Sequence, residues 1–126
     1  MEQPGIERNI TLYVAAWNEE GLNNIKFALT AFWTDETTYI DFQTPLTTGI
    51  DALARLIQQS HALLPGRRFS QLTRPDMHNY TDRYTWRLHR TDGTTADGMD
   101  FFEFNSTGFI TRIVGFLKPL EVFTGQ

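Results

Sequence analysis

Three side chains in this sequence combine polar chemistry with apolar surroundings. Tyr13 lies on an apolar helical stripe, Asp41 ends the segment 37–41, and Asp100 interrupts the apolar segment 98–102. A carboxylate could remove a proton beside a carbonyl group, and a tyrosine hydroxyl with a neutral carboxylic acid could hold the resulting oxyanion. An acid among apolar residues is costly unless it is used or paired. We therefore predict that these side chains form a proton-transfer site.

The two carboxyl groups are expected to divide the work. Asp41 suits the base, whereas apolar neighbours should disfavour the charged form of Asp100, so that it stays protonated and donates beside Tyr13. Two alternatives stay open at this point. The Tyr13 hydroxyl and Asp100 could form a satisfied buried pair without a substrate. Asp41 could accept hydrogen bonds from loop amides at a strand end.

The elements that carry these residues can be read from the apolar periodicity. A first helix ends near Gly21, a second begins at Leu22, and a third follows Thr48, which is the expected N-cap. A short strand, 37–41, precedes the third helix. Four longer strands then follow, roughly at residues 67–77, 82–90, 94–104 and 109–118. This order predicts one α+β domain over residues 1–126, with three helices packed on a curved antiparallel sheet.

Composition narrows the classes of function. The 126 residues are 40% hydrophobic, contain no cysteine and carry a net charge of -4, without a basic patch. We therefore expect a cytoplasmic protein that binds neither nucleic acid nor a membrane. The glycines are scattered rather than grouped in a phosphate loop, and His78 and His89 lack the spacing of metal ligands. No cofactor and no metal are expected.

Three segments carry a resemblance to a known superfamily. Residues 13–18 resemble the first helix of bacterial ketosteroid isomerases, residues 39–41 the strand with their general base, and residues 100–105 the strand with their second oxyanion donor. With the order of elements, this is similar to the nuclear transport factor two-like superfamily, which includes ketosteroid isomerases and SnoaL-like polyketide cyclases. The resemblance implies a cone-shaped fold with a mixed sheet. It also implies Asp41 as the base and Tyr13 with Asp100 as donors.

Other positions distinguish the branches of this superfamily. Phe42 stands where the isomerases usually have proline, and Ile57 lies near the position of a tyrosine that supports the donor in many of them. The segment 61–69 and the pair Gly115-Phe116 resemble the SnoaL-like bacterial branch. These departures favour a SnoaL-like protein over a steroid isomerase.

The resemblance and the aromatic content together predict an internal cavity. We expect it to hold a small hydrophobic carbonyl compound, which the protein would isomerise or cyclise without a cofactor; the alternative is a non-catalytic ligand-binding or assembly module of the same fold. His61 could orient the ligand or move a proton, although such a histidine is more often simply packed. The residues expected to bind the ligand are Trp17, Trp33, His61, Phe102, Phe104, Ile113 and Leu117.

The sheet should also have an apolar outer face. If Asp100 points inward, the alternate residues Met99 and Phe101 point outward, and Phe109 should join them. An apolar outer face of this kind favours burial against another protein surface. We therefore expect a homodimer that pairs through this face.

Overall fold

Three helices come early in the chain, as the periodicity predicts. The structure is a computed structural model that describes residues 3–118 and 120–125. The helices are α1 (Gln3–Asn18), α2 (Leu22–Leu29) and α3 (Ile50–Leu63). None of the helices in these residues has the length and apolar character that a membrane span needs.

The predicted cap of α3 is wrong. Gly49 is the N-cap, without a side-chain hydrogen bond, and Thr48 belongs to a strand. The reason is the backbone: Gly49 has φ of +91°, and a Cβ there would lie 3.1 Å from the carbonyl oxygen of Asp35. Asp51 in the first turn instead forms ion pairs with Lys26 and Arg55.

Seven strands form one mixed, mainly antiparallel sheet. They are β1 (Thr38–Asp41), β2 (Thr44–Thr48), β3 (Arg68–Gln71), β4 (Asp76–His78), β5 (Thr81–His89), β6 (Thr95–Phe104) and β7 (Ile110–Phe116). Their order is β2-β1-β7-β6-β5-β3, with β4 also paired to β5. The pair β1 and β7 is parallel, and the other pairs are antiparallel. The predicted α+β fold is confirmed, but β2 was not predicted and the long strand 67–77 divides into β3 and β4.

Along the two longest strands, buried residues alternate with more exposed ones, which shows which face of the sheet packs against the helices. On β6 every second residue from Gly98 to Phe104 is buried, which places Asp100 on the inner face. On β5 the same alternation buries Asp82, Tyr84, Trp86 and Leu88. Met99 and Phe101 occupy the opposite phase of β6 and are half-buried. The expected homodimer through that outer face stays a prediction.

The core lies between the helices and the inner face of the sheet. Its largest fully buried side chains come from both layers: Trp33, Tyr13, Phe32, Phe102, Ile6, Ile10, Ile25, Leu29, Leu53, Ile57, Ile110 and Ile113. The sheet does not close on itself, and the ladder shifts register between Tyr39 and Asp41 and between Glu103 and Phe104. Such irregularities bend strands and re-aim side chains. Both shifts lie on strands that carry the candidate carboxyl groups.

Candidate functional site

A cavity of about 600 Å³ lies between the helices and the inner face of the sheet. This volume is in the range of sites that hold small organic ligands. Tyr13, Asp41 and Asp100 all line it. They come from α1, β1 and β6, which are distant in sequence, so the fold brings together the three side chains singled out for their chemistry.

Tyr13 reaches the cavity from the buried stripe of α1. Its ring stacks on Trp33 at a centroid distance of 6.0 Å and meets Phe102 edge-on at 5.3 Å. Phe32 provides a further edge contact at 6.1 Å. Close packing of this kind restricts the rotamers of a side chain. The Tyr13 ring is therefore held in one orientation toward the cavity.

Asp41 is held at the end of β1 by two donors. Tyr39, two residues earlier and on the same strand, donates its hydroxyl to Asp41 Oδ2 at 2.6 Å. The backbone N–H of Gln43 donates to Asp41 Oδ1 at 2.8 Å. These bonds fix the orientation of the carboxylate, and each oxygen keeps a second lone pair for another partner.

Asp100 lies at the centre of the sheet, opposite Tyr84 on β5 and Gly115 on β7. The Tyr84 hydroxyl donates to Asp100 Oδ2 at 2.8 Å. Oδ1 lies above Gly115, where a Cβ would be 3.2 Å from this oxygen, 3.3 Å from the Tyr39 hydroxyl oxygen and 3.5 Å from Asp41 Cβ. The two carboxyl groups thus flank the bare backbone of one glycine. A larger residue at position 115 would intrude between them.

Burial changes the protonation of Asp100. Desolvation raises the pKa of this carboxyl group to about 7, and the negative charge of Asp41 adds to the rise. Hydrogen bonds from the Tyr84 and Trp86 side chains act in the opposite direction. A substantial fraction of Asp100 is consequently neutral near pH 7 and able to donate a hydrogen bond.

The tyrosines of the cavity stay neutral. Burial raises the pKa of Tyr13 well above 10, and the charge of Asp100 raises it further. Burial likewise raises the pKa of Tyr84 and of Tyr39. All three hydroxyl groups are therefore donors at neutral pH, and two of them already donate to the carboxyl groups.

Arg67 and Asn18 hold in place Trp17 and Phe69, two aromatic residues of the cavity wall. The Arg67 side chain donates from Nε to Ser60 Oγ at 3.1 Å and from Nη1 to the carbonyl oxygen of Trp17, and it lies over the rings of Trp17 and Phe69. Burial lowers the pKa of Arg67 to about 10, so it remains a cation at neutral pH. Asn18 donates to the Phe69 carbonyl oxygen at 2.8 Å and accepts from its N–H at 2.7 Å. The end of α1 is thereby joined to β3.

A second buried carboxyl group lies outside the cavity wall. Asp82 is 2% exposed on the inner face of β5, and neither of its oxygens has a hydrogen-bond partner among residues 3–118 and 120–125. Burial raises its pKa to about 7, with a further contribution from Asp100.

The residues expected to bind the ligand divide into three groups. Trp17 and Leu117 line the cavity. His61 lies on α3 and donates from Nε2 to the carbonyl oxygen of Glu19 at 2.8 Å, away from the lining. The remaining four are buried in the core behind the wall: Trp33, Phe102, Phe104 and Ile113.

Sequence reasoning missed five aromatic residues that line the cavity: Tyr39, Phe42, Phe69, Tyr84 and Trp86. Alternation from Asp41 could have identified Tyr39, because residues two apart share a strand face. Tyr84 and Trp86 are two residues apart on β5 and share one face of this strand, but the sequence does not show which face lines the cavity. That assignment needs the pairing of β5 with β6. In the described part of the chain, no group of three His, Asp or Glu residues is arranged to hold a metal ion.

Comparison with known proteins places this geometry in a family. The sequence profile of the SnoaL-like domain matches residues 10–113. A SnoaL-like protein from Agrobacterium tumefaciens strain C58, provisionally described as an isomerase, is 33% identical and superposes with a TM-score of 0.82 over 90% of this chain and 98% of that one. No protein of curated function matches the sequence.

Two more distant structures share the fold alone. A protein from Catenulispora acidiphila with a ketosteroid isomerase-like fold, solved with trimethylamine, has 13% identity and a TM-score of 0.71 over 86% of this chain and 84% of that one. A protein of unknown function from Exiguobacterium, described as nuclear transport factor two-like, has 18% identity and a TM-score of 0.64, covering 94% of this chain and all of the other. The profile match over most of the chain, with the 33% identity of the Agrobacterium protein, shows that this chain belongs to the SnoaL-like family.

Proposed function

We propose that the cavity binds a small apolar carbonyl compound and removes a proton from the carbon beside its carbonyl group. The convergence of Tyr13, Asp41 and Asp100 on one cavity is the observation that carries this proposal. Asp41 takes the proton, and the electrons of the broken C–H bond move to the carbonyl oxygen. Tyr13 and neutral Asp100 donate hydrogen bonds to the resulting enolate.

The enolate then has two fates. If a carbon–carbon double bond adjoins the deprotonated carbon, Asp41 returns the proton to the far end of the conjugated enolate and the compound isomerises. Alternatively, the enolate carbon attacks a second carbonyl group within the same molecule and closes a ring, and Asp41 returns the proton to the new alkoxide. Neither fate needs a cofactor or a redox partner, because no net electrons are gained or lost. The provisional description of the Agrobacterium relative as an isomerase supports the first fate.

The surroundings of Asp100 support its role as a donor. The Tyr84 hydroxyl on β5 donates to Asp100 Oδ2. Asp100 Oδ1 faces the space above Gly115, which Asp41 also borders. A proton on Oδ1 is therefore directed toward the position where a carbonyl oxygen must lie if Asp41 is to reach the adjacent carbon. Donors fixed before the reaction stabilise the developing charge without reorganisation.

The donor roles can be tested with an oxyanion mimic. The phenolate form of 4-nitrophenol absorbs visible light, so its binding can be titrated directly. Tyr13→Phe and Asp100→Ala should each weaken binding by about 2 kcal/mol, or about thirtyfold, because each removes a hydrogen bond to a charged oxygen. Asp41→Asn should leave the affinity nearly unchanged. Matched controls are Tyr80→Phe and Asp76→Asn, whose exposed side chains lie outside the cavity.

The base can be tested without knowledge of the product. Proton removal in heavy water exchanges the hydrogens beside a carbonyl group, which NMR detects over a panel of cyclic enones and 1,3-dicarbonyl compounds. Asp41→Asn should reduce the exchange rate by at least about a hundredfold, while Asp76→Asn leaves it unchanged. Equal exchange rates in the wild type and Asp41→Asn would reject Asp41 as the base.

A second candidate function is ligand binding without turnover. It is favoured by the hydrogen bonds that the carboxyl groups already accept from Tyr39, Gln43 and Tyr84, because satisfied polar groups need no substrate. The same two experiments separate the candidates. Binding of compounds from the panel without exchange in any of them would favour the binding module.

A further inference from the structure

Two cationic side chains, Arg90 and Lys118, line the cavity together with the two carboxyl groups. Arg90 directly follows β5, and Lys118 lies two residues beyond β7. Both β5 and β7 run antiparallel to β6, so they run parallel to each other and end on the same side of the sheet. The two cations therefore belong to the same end of the cavity.

The strand register sets how far these cations lie from the carboxyl groups. Asp100 is paired with Tyr84 and with Gly115. At a rise of about 3.3 Å per residue, Arg90 lies about 20 Å along β5 from the level of Asp100, and Lys118 lies about 10 Å along β7. The cavity thus has acidic groups at one end and basic groups at the other.

Neither cation forms an ion pair within the described residues, although the charge of Arg90 helps to lower the pKa of Asp92, after the hydrogen bonds from Thr94. The ion pairs there involve other basic side chains, and Arg90 donates from Nη1 to the hydroxyl of Thr94 at 3.3 Å. Among the described residues, the other charged side chains that line the cavity are those of Asp41 and Asp100. The whole chain carries a net charge of -4, so a basic end of the cavity departs from the average character of the surface.

The wall between the two ends is largely apolar. Leu88, Ala96 and Leu117 line it from the sheet and the segment after β7, and Leu56 lines it from α3. An apolar wall favours hydrocarbon, whereas the half-buried Arg90 and the exposed Lys118 favour an anion. The two requirements together describe a ligand with a hydrocarbon body and a charged end.

We infer that the ligand is an amphipathic keto acid, and that Arg90 and Lys118 bind its carboxylate. Its carbonyl group lies at Asp41 and Asp100, and its carboxylate lies about 10 to 20 Å away. This inference rests on the proposed function, because that function places the carbonyl end. It adds the class of substrate and names two residues that select it.

A pair of ligands that differ only in charge tests the inference. 9-Oxodecanoic acid carries a methyl ketone at one end and a carboxylate at the other, and 10-hydroxydecan-2-one replaces the carboxylate with a neutral hydroxymethyl group. Calorimetry should show that the wild type binds the acid at least about tenfold more tightly than the alcohol. Added sodium chloride should weaken binding of the acid alone, because salt screens the cations.

Variants then assign the preference to the two residues. Arg90→Gln and Lys118→Gln should each weaken binding of the acid by about three- to tenfold, and the double variant should bind acid and alcohol equally. Neither variant should alter binding of the alcohol. Arg112→Gln is the matched control, since this exposed arginine on β7 is outside the cavity lining.

The results separate this inference from the proposed function. Equal affinity of the wild type for acid and alcohol, or a preference that survives in the double variant, would overturn the keto acid assignment. Exchange of the α-hydrogens of 10-hydroxydecan-2-one, and its loss in Asp41→Asn, would still support the enol chemistry in that case. The salt dependence is measured on the wild type, so this arm of the test does not depend on a variant that folds.

Discussion

Asp82 and Asp100 are carboxyl groups on paired strands, and they face the same buried layer of the protein. Desolvation raises the pKa of both to about 7. Asp100 accepts a hydrogen bond from Tyr84 and lines the cavity. Asp82 has no hydrogen-bond partner among the described residues, and it is not part of the cavity lining.

The contrast shows which observation points to a site. A raised pKa reports burial, and both carboxyl groups have it. Only Asp100 has donors converging on it, a second carboxyl group across Gly115, and space in which a ligand could lie. The converging side chains and the open space therefore point to a function for Asp100. The raised pKa of Asp82, by contrast, indicates that its burial costs stability.

The largest expected effect is a loss of stability as the pH rises. Between pH 4 and 7, folded Asp82 and Asp100 hold protons that the unfolded chain has lost, because their pKa values rise from 3.8 to about 7 on folding. The free energy of unfolding must then fall with rising pH, by up to roughly 4 kcal/mol for each group. Denaturant titrations at pH 5 and pH 8 measure this fall. Equal stability at the two values would contradict the burial of both protonated groups.

Replacement of Asp82 should remove about half of the decrease in the free energy of unfolding between pH 5 and pH 8. Asp82→Leu has a similar shape and no charge to desolvate, so we expect it to stabilise the protein at pH 8 by about 3 kcal/mol. Asp100→Leu should gain less, since it leaves the Tyr84 hydroxyl without its acceptor. Denaturant titration at pH 8 compares the two. A destabilised Asp82→Leu would show that the carboxyl group of Asp82 has a favourable partner in solution.

A smaller effect should appear in the titration of Asp100. The hydrogen bond from Tyr84 lowers the pKa of Asp100, so Tyr84→Phe should raise this pKa. Binding of the phenolate mimic, which needs neutral Asp100, should then persist to a higher pH than in the wild type. Affinity measured against pH in the wild type, Tyr84→Phe and the control Tyr80→Phe tests this. An unchanged midpoint would mean that this hydrogen bond does not control the protonation of Asp100.

The smallest expected effect is local crowding between the carboxyl groups. Gly115→Ala would place a methyl group 3.2 Å from Asp100 Oδ1 and 3.3 Å from the Tyr39 hydroxyl oxygen, so both must move slightly. We expect a folded protein with about tenfold weaker binding of the mimic. Gly98→Ala provides the contrast, because its methyl group would overlap the Trp86 ring and the Phe116 carbonyl oxygen. That variant should lose stability instead, and full mimic affinity in Gly115→Ala would show that the oxyanion lies elsewhere.

The sequence predicted the structure correctly where the spacing of apolar residues was compatible with only one arrangement. The apolar stripe of the first helix placed Tyr13 inward, and alternation in the sixth strand placed Asp100 on one face, so the fold and the meeting of the two residues could be predicted. Pairing between strands has no local signal, which is why the position of Tyr84 opposite Asp100 was missed. β2 was missed because Pro45 and its neighbouring threonines are also typical of a loop. The roles of the site residues stay predictions.

The contact between Asn18 and Phe69 has a consequence for solubility. β3 is the last strand in the order of the sheet, so one side of it offers unpaired N–H and C=O groups. Such an edge is a template on which another chain can add a strand, the first step of aggregation. The Asn18 amide occupies both backbone groups of Phe69, as a neighbouring strand would. One helical side chain thereby blocks strand addition at this position while it holds the wall of the cavity.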